Sequence, residues 1–455
     1  MTSTLIRDVR HLFTMDDAET EISGACIVIR DGWIESVGTS RPSGHFDEVI
    51  DGASCIAVPG FVNTHHHLYQ NLTRGFPESE GKTLFPWLRM LYPIWAGIDE
   101  EAVFASAQVG LGELLLSGCT TSSDHLYLFP RGQDRLVDAE ITAAMEIGVR
   151  FHATRGSMDV SVEDGGLPPA EVVQKADVIL RDCERVVNEY HDPSPGALTR
   201  VGIAPCSPFS VSEGLMRESA HLARSLGVRL HTHIAETLDE EAYCLTLFGC
   251  RPVELLERWD WLGPDVWLAH CIHLDQSEID RFALSSTGVA HCPTSNMLLA
   301  SGMAPVVAML AAGVDVGLGV DGSASNDGGY FPGEVKQALL MARTRDGIDA
   351  MSARQALRIA TRGGAAVLGR DDIGQIAPGK CADISLFSVD GIRYAGGRSD
   401  PAGALVLCGP ATADRVLVHG RTVIRDGQLA LIDAQKLAAR HNLASARLLE
   451  RAGLA

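Results

Sequence analysis

The chain is short of positive charge: 38 Lys and Arg stand against 58 Asp and Glu, a formal charge of -20 over 455 residues. No basic cluster offsets that balance, which disfavours both nucleic acid and an anionic membrane surface as partners. Long apolar runs are missing as well. After Met1, the stretch TSTLIRDVRHLFTMDD breaks its apolar residues with charges too often for a secretory h-region, and no apolar run reaches spanning length. The expectation is a soluble protein of the cytoplasm. The eleven cysteines are odd in number and never fall at C-x-x-C spacing. Several lie in apolar strand-like runs, as Cys119, Cys271 and Cys292 do. Reduced core thiols fit that pattern better than disulfides or a cysteine-held zinc knot.

What the chain does have is alternation at its ends and βα punctuation between them. Residues 1–58 alternate apolar and polar positions with Asp-Gly turns (ACIVIRDGWIESVG, then HFDEVIDGASCIAVPG), the pattern of short antiparallel strands. Residues 371–455 repeat it in GKCADISLFSVD and DRVLVHGRTVIRDGQLA, then end in AQKLAARHNLASARLLERAGL, a helix that packs within the chain or across the interface of a homo-oligomer. Residues 59–370 alternate buried-strand runs with helical stretches, as parallel βα units do. Eight strand runs can be counted there, from IAVPGFVNTHHH to VDVGLGVDG, the closure number of a (β/α)8 barrel. The predicted fold is therefore α/β: a barrel inserted into a small β-sandwich built from both termini.

The reactive side chains fall in phase with those strands. His65, His67, Asp124, Arg155, His233, His270, His291 and Asp321 all come at C-terminal strand ends, which converge on one mouth in a closed barrel. Along a strand, residues i and i+2 share a face, so His65 and His67 can reach one ion while His66 points away. His233 and Asp321 complete a set of three imidazoles and a carboxylate, suited to a catalytic divalent ion such as Zn2+. His231 has the right spacing to be a ligand too, but a deeper place, lining the barrel or standing behind the ligands, suits it better. Glu236, three residues past His233, is placed to move protons at an activated water, and His270 to hydrogen-bond the developing oxygen. His273 has no such phase and fits a helix start; His291 either lines the pocket or satisfies a backbone group beside Asn296.

Six segments together resemble the amidohydrolase superfamily, in particular its mononuclear-metal aminohydrolases: PGFVNTHHH, HTHIAET, LAHCIHL, HCPTSNMLLASGMAPV, GLGVDGSASND and IGQIAPGKCADI, in family order along nearly the whole chain. The resemblance implies a distorted barrel with a terminal β-sandwich. Two-metal members carry a lysine at the end of strand 4; here that strand ends APCSPF, which implies one metal. It further implies His65, His67, His233 and Asp321 as ligands, Glu236 as proton shuttle and His270 as the residue orienting the attacking hydroxide. Hydroxide would add to an amidine-like ring carbon, Glu236 would protonate the neighbouring ring nitrogen, and Asp321 would pass a proton to the departing amine. The expected partner is a small nucleobase-like substrate. After His67 the chain offers Trp87, Tyr92 and Trp95 as stacking surfaces and Gln70 and Arg74 as polar readers, with Arg155 and Cys206 from later strands; Arg155 has Asp159 and Asp164 as alternative partners. Related nucleoside deaminases often carry an acid where this chain has Phe85 and a histidine where it has Cys206, so a free base is expected. The loop segments most resemble those acting on an oxidised purine of the 8-oxoguanine type; pterins and hydroxylated triazines are alternatives, and a cyclic amide or a non-catalytic scaffold stand further off.

Overall fold

Eight short strands, each followed by helical chain, close on themselves in the computed structural model, which describes residues 2–410 and 412–454. The barrel strands are β1 (Phe61–Asn63), β2 (Cys119–Ser123), β3 (Arg150–Ser157), β4 (Thr199–Pro205), β5 (Leu230–Ile234), β6 (Val266–His270), β7 (Gly288–His291) and β8 (Val316–Leu318), all parallel. All but the half-buried start of β4 are buried, as expected of parallel strands covered by helices on one side and filled by side chains on the other.

The closure between β1 and β8 is irregular. A single register pair, Leu318 with Asn63, joins them. Past it the Asn63 side chain takes over the ladder, accepting from the Val320 amide at 2.9 Å, and the chain re-pairs further out as His66–His67 against Asp321–Gly322. The histidine triplet is thus not on one continuous strand with the preceding apolar run. Cys55–Pro59 belongs to the sandwich, Phe61–Asn63 to the barrel, and His66–His67 to a two-stranded rim at its mouth.

The sandwich packs a four-stranded sheet from residues 3–51 against a seven-stranded sheet. In the latter, Cys55–Pro59 lies between Ile384–Ser388 on one side and His11–Phe13 on the other. Alternation sends Ile27 and Ile29 inward, against Ile384, Leu386 and Leu417, while Cys26 and Val28 meet Leu5 on the opposite face. At the bottom of the barrel Arg150, the first residue of β3, makes a bidentate pair with Asp383 of the sandwich (2.8 and 2.9 Å), both side chains 1 % exposed. Its remaining donors meet the Gly196 and Ala197 carbonyls. The C-terminal helix (Ala434–Arg451) packs within the chain: Ser445 donates to the Leu72 carbonyl at 2.6 Å and Arg451 pairs with Asp99. Among the described residues, no helix is long and apolar enough to cross a membrane.

Candidate metal centre and its pocket

Backbone geometry at the strand ends does much of the positioning. Ala235, His270 and Asp321 have φ of 51°, 72° and 63°, in the left-handed region that a non-glycine residue enters at a cost of about 1–3 kcal/mol. The first of these is held by Glu240, whose carboxylate accepts from the Ala235 and Glu236 amides at 3.0 and 2.9 Å, locking the turn that carries the Glu236 side chain. The Ala235 carbonyl in turn accepts from the Ile272 and His273 amides, tying the loop after β5 to the loop after β6.

Four donor atoms meet at the mouth. The tautomers follow from what the other ring nitrogens touch, since a backbone carbonyl can only accept. His67 Nδ1 donates to the His125 carbonyl and His233 Nδ1 to the Cys206 carbonyl, each at 2.7 Å. Both Nε2 atoms therefore carry lone pairs, and they face each other at 3.1 Å. His65 Nε2 is buried without a hydrogen-bond partner, 3.3 Å from Asp321 Oδ1, which is itself 3.4 Å from His67 Nε2. Such an array repels itself unless a cation shares it. Nitrogen and oxygen atoms held tetrahedrally about 2.0–2.1 Å from a zinc ion lie about 3.3 Å from one another, so the spacing fits that ion. Burial pushes His65 below its ordinary value and takes His67 down to about 3, which keeps the rings neutral as ligands must be.

Beside these donors stand Glu236 and His270, with His270 Nε2 3.6 Å from Glu236 Oε2 and 3.9 Å from Asp321 Oδ2. Burial raises the Glu236 carboxyl above its usual range, against the pull of the His270 ring. Burial also works against a charged His270, but the Glu236 and Asp321 carboxylates and the Asn296 contact hold its pKa above the ordinary value. His270 Nδ1 donates to Asn296 Oδ1 at 3.0 Å, and Ser295 Oγ donates to Asp321 Oδ2 at 2.6 Å.

The pocket above is lined by Gln70, Trp87, Tyr92 and Cys206, with Tyr127, Phe209 and Leu299 beside them. Gln70 Oε1 is buried without a partner. Trp87 is pinned by its indole N–H on the Ala324 carbonyl at 3.1 Å, and burial pushes the Cys206 thiol up to about 12, so it stays an S–H. Several expectations need correcting. Arg155 is not at the pocket: it bonds Asp182, Gln174 and the Gly156 carbonyl and lies over the Phe129 ring at 3.7 Å. Strand β3 runs two residues beyond it and its alternation aims this side chain at the outer helices. Arg74 is taken up by Glu113 and Asn71, and Trp95 by Thr73. His291 is buried away from the pocket, and His273 Nε2 bonds the Ser301 carbonyl.

Asp124 also faces away, accepting from the Leu68 amide at 2.6 Å and meeting the fully buried Glu140. Burial raises both carboxyls, so the folded state keeps a proton that the unfolded chain gives up above the usual carboxylate range of about 4. Stability should then fall as pH rises, by up to about 1.4 kcal/mol per unit for one proton. Glu140→Gln supplies the shared hydrogen permanently; the drop in urea midpoint between pH of about 5 and 8 should be shallower in that variant than in the parent. Equal slopes would dismiss the pair as the source.

Sequence reasoning passed over His125, Tyr127, Ser295 and Glu240, and named Asn296 only as a neighbour of His291, not as the partner of His270. His125 is one residue out of phase with the strand-end position assigned to Asp124; its Nε2 donates to the Ala204 carbonyl at 2.8 Å and its Nδ1 is buried without a partner. Nε or Nδ atoms of His65, His67, His125 and His233 all come within 4.8 Å of one another.

Known proteins share this architecture. The Amidohydrolase family matches residues 56–423. The chain is 46% identical over 451 residues to 8-oxoguanine deaminase of Pseudomonas aeruginosa, covering 99% of this chain and 100% of that one. It is 38% identical over 459 residues to hydroxydechloroatrazine ethylaminohydrolase of Pseudomonas sp. (strain ADP), covering 96% and 94%. Among solved structures, the zinc complex of atrazine chlorohydrolase from Arthrobacter aurescens TC1 superposes with a TM-score of 0.93 at 33% identity, covering 97% of this chain and 100% of that one.

Proposed function

This chain belongs to the amidohydrolase family, and on that premise we propose that it hydrolytically deaminates a free oxidised purine, converting 8-oxoguanine and water to urate and ammonia. It is a hydrolase of carbon–nitrogen bonds and works with one divalent metal ion. The observation that carries the proposal is the set of facing lone pairs on His65, His67 and His233 beside Asp321, with Glu236 and His270 at the same opening.

His65, His67, His233 and Asp321 would hold the ion. When bound, it supplies a Lewis acid that makes hydroxide available near neutral pH. Asp321, fixed by Ser295 and by the Gly322 amide at 2.7 Å, accepts the proton of the attacking water. Glu236, whose burial favours its protonated form, delivers a proton to ring nitrogen 3 as oxygen adds to carbon 2. With Nδ1 donating to Asn296, the His270 ring protonated on both nitrogens, the form its raised pKa favours, presents Nε2–H to the developing charge. Asp321 then returns its proton to the amine, the carbon–nitrogen bond breaks as the added hydroxyl gives its proton back to Glu236, and ammonia leaves a ring carbonyl behind.

The lining of the pocket supports a free base. Among the described residues its carboxylates are Glu236 and Asp321 alone, both needed for the chemistry, so none of these is left for ribose hydroxyls. Phe209 packs against Phe85, ring centroids 5.0 Å apart and planes tilted by 56°, at the side where such an acid would stand. Gln70, Trp87, Tyr92 and the Cys206 S–H are the groups available to a planar oxo-substituted ring. The same chamber suits a hydroxylated triazine, a reading favoured by the similarity to two triazine enzymes. Ammonia release from 8-oxoguanine, guanine, isoxanthopterin and hydroxyatrazine separates these. We expect 8-oxoguanine to have the highest kcat/KM; if it were inert while a pterin or triazine turned over, the substrate assignment would fall and the reaction class would stand.

A further inference from the structure

Each of the three histidines assigned to the metal hydrogen-bonds through its Nδ1, but not to the same kind of partner. His67 and His233 are oriented by backbone carbonyls. His65 is oriented by another side chain: its Nδ1 lies 2.8 Å from Nε2 of the fully buried His231. Which of the two nitrogens carries the hydrogen is decided one step deeper in the barrel. His231 Nδ1 is 2.8 Å from the Trp267 carbonyl, which can only accept, so the hydrogen of a neutral His231 is on Nδ1 and its Nε2 is an acceptor. His65 must then donate through Nδ1, which leaves the lone pair on Nε2, the atom facing Asp321.

Trp267 holds this chain from two sides. Its indole stacks on the His231 ring, centroids 4.5 Å apart and planes at 16°, while its Nε1–H donates to the Thr64 carbonyl, the peptide directly preceding His65, at 3.0 Å. The ring that accepts from His65 and the backbone that carries His65 are thus registered to the same residue of β6.

We propose that His231 is a positioning residue of the metal centre: it fixes the tautomer and tilt of His65 through a Trp267 carbonyl–His231–His65 relay, and so sets how tightly the ion is held. This rests on the assignment of His65 as a ligand. An imidazole acceptor also draws electron density toward His65, making its Nε2 a better donor than a free ring would be.

Chelator competition on the zinc-loaded enzyme tests it. His231→Phe keeps the stacked ring but cannot accept, and should raise the metal dissociation constant about 10- to 100-fold. His231→Gln restores an acceptor oxygen and should recover most of that loss. Phe and Gln variants that bind zinc equally well, whether at the parental level or equally weakened, would overturn the proposal, because packing alone does not distinguish an acceptor. Should His231→Phe fail to fold, nitrogen NMR of the unaltered zinc enzyme labelled at histidine gives the answer: His231 protonated on Nδ1 and bare on Nε2 is expected, and the opposite tautomer overturns it. His65→Asn separates the two assignments. If that variant retained one tightly bound ion per chain, His65 would not be a ligand and the premise would fail; loss of the ion with parental zinc affinity in His231→Phe would sink the relay alone.

Discussion

Glu236→Gln should leave the metal content of the enzyme unchanged and lower kcat by about 100- to 10,000-fold, the range contributed by a positioned acid or base. The substitution keeps the size of the side chain and touches no atom of the four-donor array. It does not release the turn either, because the left-handed Ala235 and the residue 236 amide are held by Glu240, not by the Glu236 side chain. What is lost is a carboxyl able to carry a proton: burial favours its neutral form, and the amide has no exchangeable acid to offer the ring nitrogen. Ammonia release and metal analysis on the same sample provide the check. Full activity would remove Glu236 from the chemistry, whereas loss of metal along with activity would recast it as part of the ion site.

The second large effect is on stability and lies at the other end of the barrel. Asp383→Ala strands the Arg150 guanidinium in a place where both partners are 1 % exposed, and removing one member of a buried pair costs about 3–5 kcal/mol. It also deprives the His419 amide of its acceptor at 2.7 Å. The urea midpoint should fall accordingly, while kcat/KM of the folded fraction stays at the parental level, since Arg150 opens β3 and the pocket lies beyond the strands' opposite ends. Replacing both members with apolar residues, Arg150→Met with Asp383→Leu, should recover a good part of the loss, because it removes the uncompensated charge. A single variant as stable as the parent would show that the pair contributes nothing.

How far these features were legible in the sequence depended on the length scale of the signal. Strand phase brought His65, His67, His233, His270 and Asp321 to one place because barrel geometry turns a position along a strand into a position around a mouth. It misled at Arg155, since a strand's end cannot be read to within two residues and an error of one reverses the face. Arg74 follows a short turn with no period to read, while Trp95 closes the helix Leu84–Trp95 on its buried face, and each found a partner on a neighbouring helix or turn. Asn296 and Ser295 serve His270 and Asp321 across 26 residues each, and the side-chain contact of Glu240 with the turn before it depends on a backbone conformation that no residue pattern announces. The His65 to His231 bond spans 166 residues; spacing could nominate His231 as a rival ligand, a lining residue or one standing behind the ligands, but could not name His65 as its partner.

The interleaved sandwich has a consequence for how the protein comes into being. Strand Cys55–Pro59 leaves the ribosome early, yet its antiparallel neighbour Ile384–Ser388 follows about 320 residues later. At 5–20 residues per second that is a wait of roughly 16–65 s, during which the edge of a strongly apolar strand has no mate. The nascent chain must carry CIAVP through the synthesis of the whole barrel before the sheet can form, so that strand stays open to misassociation even after every residue of the mouth has been made. Chaperone occupancy on stalled nascent chains should therefore persist until residues 384–388 have emerged, and end there.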